Sequence, residues 1–148
     1  MLADLVAYNR SGEPILIVEV KKKMGASVDW AARLRRNILA HGVFPDVKYF
    51  LLAMPDRFYL WKDVGTRPEI VPPTFSIDAR PLLQAYFDEV DIEPGLVSGQ
   101  GFELMVAAWL RNQLSSESYP VNDEWKWLEK SGILEAIRDG KVEHEVQI

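Results

Sequence analysis

The chain has 148 residues, of which 48% are hydrophobic and 26% are charged, and this balance is typical of a single globular domain rather than of a disordered segment. It contains no cysteine, which excludes disulfides and thiolate metal sites and favours a cytoplasmic location. No apolar run approaches the length of a membrane span, so no membrane partner is expected. The net charge of −5 argues against nucleic-acid binding by the chain as a whole.

The first predicted elements are two strands joined by a turn. Residues 2–8 and 15–20 are apolar runs, and the polar, glycine and proline residues between them are typical of an antiparallel hairpin. Because side chains alternate along a strand, Glu19 and Lys21 share one face of the second strand. A turn centred near Ser11 brings Asp4 opposite Val18 or Glu19.

Asp4, Glu19 and Lys21 therefore meet at one end of the predicted hairpin. Charges at the end of a buried strand are costly unless they pair with one another or a cation occupies the site. Carboxylate oxygens suit Mg²⁺, which takes one or two protein carboxylates and keeps water in its other coordination positions. Lys21 would then hold or polarise a metal-bound water.

This order of residues, Asp4, a hairpin, Glu19-Val20-Lys21 and then a helix, resembles the PD-(D/E)xK nuclease superfamily, which has the restriction-endonuclease-like fold. The resemblance covers residues 2–62. It implies that Asp4, Glu19 and the carbonyl of Val20 bind Mg²⁺ or Mn²⁺, and that Lys21 orients the attacking water. The catalytic residues would be Asp4, Glu19 and Lys21, and the substrate would be DNA or RNA.

The chain departs from the superfamily pattern at its start. Ala3 precedes Asp4, where the superfamily often has proline. Members usually begin with a helix that packs on the sheet and often adds a glutamate to the metal site, whereas this sequence begins inside the first strand. We therefore expect a preceding segment or a second copy of the chain, as in a homodimer, to cover the open face of the sheet.

Basic side chains are concentrated in the half that carries the motif. Residues 1–63 contain ten Lys or Arg against seven acids, whereas residues 64–148 contain seven against fifteen. Ser27 is a predicted N-cap, and the next helix ends near Gly42. The resemblance implies that this helix lines the active-site cleft, and the alternative is an ordinary solvated surface. The candidate phosphate-binding residues are Lys22, Lys23, Arg33, Arg36 and Asn37.

The remaining elements alternate between strand and helix patterns. Lys48 to Met54 predicts a strand parallel to the second, and Arg57 to Trp61 predicts its antiparallel neighbour. Residues 63–76 predict a loop, and Asp78 to Val90 a helix.

The segment Gly101 to Leu114 is apolar nearly all round, so this helix either covers a sheet face or packs against a second subunit. Residues from Trp125 to Ile137 predict one or two short helices split near Gly132. Lys141 to Ile148 has the alternation of an edge strand.

Together these patterns predict one α/β domain. Residues 1–63 would form a restriction-endonuclease-like core with a mixed sheet of about four to five strands flanked by helices, and residues 64–148 a helical extension packed on it. Two functions stay open. One is a magnesium-dependent nuclease that hydrolyses phosphodiester bonds. The other is a catalytically inactive nuclease-like domain, an oligomeric module that binds protein or nucleic acid, in which Glu19 and Lys21 form a buried ion pair.

Overall fold

The computed structural model describes residues 2–115 and 126–147. Within them, one sheet contains the strands β1 (Leu2–Tyr8), β2 (Pro14–Val20), β3 (Tyr49–Ala53), β4 (Arg57–Lys62), β5 (Phe75–Asp78) and β6 (Lys141–Gln147). The α-helices are α1 (Val28–Ala40), α2 (Arg80–Val90), α3 (Gly99–Gln113), α4 (Lys126–Ser131) and α5 (Ile133–Ile137). The strand order across the sheet is β5-β4-β3-β2-β1-β6. The fold is therefore α/β, as predicted.

The hairpin of β1 and β2 is built around Asn9. The Asn9 side-chain oxygen accepts hydrogen bonds from the backbone N–H groups of Ser11 (3.0 Å) and Glu13 (2.9 Å), which closes the turn. The strands pair antiparallel with Leu5 opposite Val18. Continued by one residue, this register brings Asp4 alongside Glu19, which is the second of the two predicted alternatives.

The chain then crosses over the sheet through α1. Ser27 caps this helix as predicted, because its hydroxyl accepts from the Trp30 N–H at 3.1 Å. The crossover makes β3 the parallel neighbour of β2, and β4 returns antiparallel to β3. The strand directions and the crossover helix predicted within residues 1–63 are therefore confirmed.

The sheet has six strands, so the prediction of about four to five is wrong. Both additional strands come from residues 64–148, which do not form a purely helical extension. β5 begins inside the predicted loop and pairs with β4, and α2 therefore starts at Arg80 instead of Asp78. Residues 75–78 form a strand because β4 offers them a free edge, and this long-range partner has no local sequence signal. β6 pairs with β1, which confirms the predicted edge strand over Lys141–Gln147, and Ile148 lies outside the described residues.

Helices cover both faces of the sheet. On one face, which we call the α1 face, Ala31 and Leu39 pack with Ile17 and Leu52. On the other, which we call the α3 face, α2, α3, α4 and α5 pack on residues that include Leu51. The face left open in the sequence analysis is thus covered by the apolar helix of the C-terminal half. This removes the reason given for a homodimer, and dimerisation stays a prediction.

The last helices divide where the sequence indicates. Gly132 has φ of 79°, a conformation that favours glycine, and it separates α4 from α5. The part of this prediction that concerns Trp125 lies outside the described residues.

Candidate metal centre

Asp4 lies at the end of the β1–β2 ladder, where its side chain, instead of its backbone, pairs with β2. Its Oδ2 atom accepts a hydrogen bond from the Val20 N–H at 2.8 Å. The carboxylate thereby satisfies a backbone donor of the motif strand and is held in a fixed position. Asp4 is only half-buried, so the carboxylate keeps access to solvent.

Glu19 is the most unusual side chain of the sheet, because it is a carboxyl group only 4% exposed. Its Oε1 atom is buried and has no hydrogen-bond partner within the described part of the chain. Burial raises the pKa of Glu19 to about 8, and the charge of the nearby Asp4 adds to the increase. The carboxyl of Asp4 also lies within hydrogen-bonding reach of Glu19, and this contact raises the pKa of Glu19 further.

Lys21 is exposed and follows the last residue of β2. Its N–H donates to the Ala53 carbonyl at 3.0 Å, which extends the pairing between β2 and β3 by one residue. The positive charge of Lys21 lowers the pKa of Glu19, but less than burial and Asp4 raise it. No ion pair within 4.0 Å joins these two side chains, so the buried Glu19–Lys21 pair expected for the non-catalytic alternative is not formed.

Side-chain alternation breaks at Asp4. Ala3 packs in the core of the α1 face, whereas Leu5, two residues later, packs in the core of the α3 face. The neighbouring strand β6 behaves in the same way, because Val142 packs on the α3 face and Val146 on the α1 face. Regular strands keep residues two apart on one face, so both strands turn here.

Two acidic residues that the sequence analysis did not select lie near Asp4. Glu145 lies between His144 and Val146, which pair with Leu5 and Ala3, so the register brings it beside Asp4. Glu103 is half-buried on α3, and burial and the charges of Asp4 and Glu145 raise its pKa. Glu103 is the only charged residue between Gly99 and Leu110. An isolated acid in an otherwise apolar helix is unusual, and this was the sequence signal from which Glu103 could have been noticed.

The predicted phosphate-binding residues are spread over a longer surface. Lys22 and Lys23 are exposed directly after the motif, and the Lys23 ammonium lies 5.0 Å from the centre of the Trp30 ring. Arg33 forms an exposed ion pair with Asp29 at 2.9 Å.

Arg36 and Asn37 occupy the second half of α1. With a rise of about 1.5 Å per residue, they lie about 12 Å or more along the helix from its first residue. The structure thus brings Asp4 and Glu19 together with Lys21 beside them, and it leaves Arg36 and Asn37 further away.

The neighbouring Arg35 has a structural role. It is completely buried on the α1 face, donates to the carbonyls of Gly65 (2.9 Å) and Glu69 (3.3 Å), and lies over the rings of Phe50 and Trp61. These contacts fasten the loop between β4 and β5 to the helix, and burial lowers the pKa of the guanidinium.

The Asp4–Glu19 pair fits a divalent cation in charge and ligand type. An unpartnered buried carboxylate oxygen next to a second carboxylate is unfavourable unless a proton or a cation neutralises it. No group of three or more His, Cys, Asp or Glu side chains among residues 2–115 and 126–147 is placed to hold a metal directly. Two carboxylates with water in the remaining positions are a common Mg²⁺ site, and they would hold the ion here.

The site reaches the protein surface at the end of β2, because Asp4 is half-buried and Lys21 is exposed. A groove of about 590 Å³ lies at the opposite end of β2, and its lining includes Glu13, Asp46, Lys48 and Asp63. That groove contains none of the predicted site residues.

Comparison of the chain with protein-family models, curated proteins and solved structures finds no match. Among the described residues, no helix has the length and hydropathy needed to cross a membrane.

Proposed function

We propose that the protein is a divalent-metal-dependent phosphodiesterase that cleaves nucleic acid, with the chemistry of the PD-(D/E)xK nucleases that its motif resembles. The observation that carries the proposal is the buried carboxyl of Glu19 beside Asp4, whose Oε1 atom has no hydrogen-bond partner in the described part of the chain. A structural strand gains nothing from a buried carboxyl group whose pKa is raised by burial and by a neighbouring carboxylate, whereas a cation site requires such a pair. Asp4 and Glu19 are the proposed metal ligands, with the Val20 carbonyl as an additional one.

Each residue of the motif has a separate task in this proposal. The Val20 N–H holds the Asp4 carboxylate in place, and burial keeps the Glu19 side chain in one position. Lys21 lies in solvent beside this pair, where its ammonium orients a water molecule and stabilises negative charge on the phosphate. A bound Mg²⁺ or Mn²⁺ supplies charge neutralisation and lowers the pKa of bound water.

The substrate would lie across the surface after β2. Lys22 and Lys23 adjoin the metal ligands and are exposed, so we assign them the contacts with the phosphate closest to the scissile bond, for which Lys23 would leave the Trp30 ring. Arg33 must exchange its ion pair with Asp29 for a phosphate, and Arg36 and Asn37 would contact nucleotides further along the strand. Either DNA or RNA meets these requirements.

A cleavage assay with defined variants tests the proposal. Wild-type protein is titrated with Mg²⁺ and Mn²⁺ on single-stranded, duplex and nicked DNA and on RNA. Glu19→Gln should abolish metal-dependent cleavage, and Lys21→Ala should lower its rate by about a hundredfold. The matched controls are Glu13→Gln and Lys48→Ala, which change exposed residues at the opposite end of β2 and β3 and should keep wild-type rates.

The results also separate the two functions left open by the sequence. Cleavage that persists in EDTA, or equal rates for wild type and Glu19→Gln, would show that this site is not the source of activity. Metal binding without cleavage of any substrate would favour the non-catalytic module. Light scattering of the same samples would measure the predicted dimer, and a monomer at high concentration would contradict it.

A further inference from the structure

A cationic residue outside the motif lies at the same end of the sheet as the proposed metal site. A tight turn over residues 54–57 joins β3 to β4, and a hydrogen bond of 3.0 Å from the Met54 N–H to the Arg57 carbonyl closes it. The Lys21 N–H donates to the Ala53 carbonyl, so Lys21 lies at the same level as this turn. β4 is the second strand along the sheet from β2. At about 4.8 Å per strand, the backbone of Arg57 is about 10 Å from that of Lys21.

Arg57 and Lys21 belong to the same face of the sheet. Phe58 packs in the core of the α3 face and Tyr59 in the core of the α1 face, so side-chain alternation directs Arg57 to the α1 face. Val20 packs against the core of the α3 face, and alternation therefore directs the next residue, Lys21, to the α1 face as well. A ligand that contacts Lys21 can thus reach Arg57 without crossing the sheet.

Residues 21–25, which we call the lysine segment, cross from the motif to the turn before β4. At the end of this segment, the Gly25 N–H donates to the Asp56 Oδ2 atom at 3.0 Å. The Tyr59 hydroxyl then donates to the Ala26 carbonyl at 2.6 Å. Both hydrogen bonds fasten the chain to β4 or to its turn, so the exposed lysines of the segment lie between the metal site and the start of β4.

The guanidinium of Arg57 forms no ion pair among the residues that the structure describes. The two neighbouring acids are bound to other donors. Asp56 accepts from the Gly25 N–H, and Asp78, which pairs with Arg57 across the strands, binds the Arg80 guanidinium at 2.9 Å. Arg57 is also half-buried, so it has less conformational freedom to lose on binding than an exposed lysine. These properties suit a residue that binds an anionic ligand.

We propose that Arg57 binds a phosphate of the substrate, and that the nucleic acid runs from the metal site over the lysine segment to the start of β4. This inference rests on the proposed function and gives the path of the substrate on one side of the scissile bond. One strand of B-form DNA carries a phosphate about every 3.4 Å along the helix axis, so about 10 Å corresponds to about three nucleotides. The planar guanidinium can donate to two oxygens of that phosphate at once.

Fluorescence anisotropy with labelled duplex DNA, single-stranded DNA and RNA, in EDTA to prevent cleavage, measures this contact as binding. Arg57→Gln should weaken binding about tenfold at about 0.1 M salt. It should also reduce the slope of log affinity against log salt by about 0.9 for duplex DNA and about 0.7 for single strands, because one phosphate contact is lost. Arg57→Lys keeps the charge and should keep the slope. The control Lys48→Ala removes one exposed charge at the opposite end of β3 and should change neither quantity.

Cleavage of shortened substrates with Mg²⁺ locates the contact. On long substrates Arg57→Gln should cleave more slowly than the wild type when the substrate is not saturating. Truncation to fewer than about three nucleotides on one side of the scissile bond should abolish this difference, because the phosphate that Arg57 binds is then absent. Truncation on the other side should leave the difference in place.

The outcomes separate this inference from the proposed function. If cleavage depends on metal and on Glu19 while Arg57→Gln binds with the wild-type salt slope, the path to Arg57 is refuted and the proposed function stands. A lower urea midpoint for Arg57→Gln and Arg57→Lys, with an unchanged salt slope in both, would also refute the path and give Arg57 a role in the stability of the turn. If the wild type neither binds nor cleaves any of these nucleic acids, the proposed function fails and the path fails with it.

Discussion

The ionisation of Glu19 makes a quantitative prediction about stability that needs no substrate. Substitution of Glu19 by Gln keeps the size and polarity of the side chain but removes its titration. In the folded protein the pKa of Glu19 is about 8, against 4.5 for an unperturbed glutamate. Between these values the folded state holds a proton at Glu19 that the unfolded state has released.

The direction of the effect follows from proton linkage. Since the unfolded state binds fewer protons in this range, the free energy of unfolding falls as pH rises from about 4.5 to about 8. A shift of this size corresponds to about 4 kcal/mol lost over the interval. Glu19→Gln should therefore unfold with nearly wild-type free energy at about pH 5 and be about 4 kcal/mol more stable than the wild type at about pH 8.

Urea unfolding followed by tryptophan fluorescence measures this difference, and the chain has five tryptophans. The comparison of the two proteins cancels the contributions of other groups, and Glu13→Gln serves as an exposed control. Mg²⁺ at about pH 8 should stabilise the wild type and leave Glu19→Gln unchanged, because the ion binds only the folded site. Parallel stability curves for wild type and Glu19→Gln across this pH range would refute the reasoning.

Three further predictions concern the elements that hold the site. Arg35→Ala should lower the unfolding free energy by about 3 kcal/mol, since it empties a buried volume and leaves two carbonyls of the 63–74 loop without a donor. The control, Arg33→Ala, changes an exposed residue of the same helix and should cost less than about 1 kcal/mol. Equal urea midpoints for the two variants would contradict this prediction. Ser27→Ala should cost about 1 kcal/mol, because it removes the capping hydrogen bond and alanine is a poor N-cap residue. Ser27→Gly should cost only a few tenths, because glycine is favoured at the N-cap; a larger loss for Gly would exclude the capping explanation. Tyr59→Phe should cost about 1 kcal/mol by thermal unfolding, because its buried hydroxyl donates at 2.6 Å to a carbonyl just before α1; an unchanged midpoint would show that this bond does not secure the helix.

Local sequence signals were sufficient for the first half of the fold. The polar turn at Asn9 and the N-cap at Ser27 are short-range features whose hydrogen bonds form within a few residues, so they can be recognised without a partner. The apolar pattern of Gly101 to Leu114 likewise indicated a helix buried on more than one side. β5 was missed because a four-residue edge strand forms only where β4 is available.

The candidate site was likewise predictable only in the part that depends on local sequence. Asp4, Glu19 and Lys21 could be selected from the sequence because strand alternation and a hairpin turn relate them within a short segment. Their burial and charge could not be derived in this way, since the pKa of Glu19 depends on the helices that exclude water and on the distance to Asp4. Glu145 was unrecognised because its proximity depends on the pairing of the last described strand with the first.

The sequence alone determined an α/β chain whose opening hairpin carries two acids and a lysine, because turns, caps and side-chain periodicity are local properties. The tertiary structure decided that the sheet has six strands, that α3 closes its second face, and that the register of β6 brings Glu145 beside Asp4. These features depend on contacts between residues about a hundred positions apart. Such contacts are selected by the burial of whole faces, which no short stretch of sequence encodes.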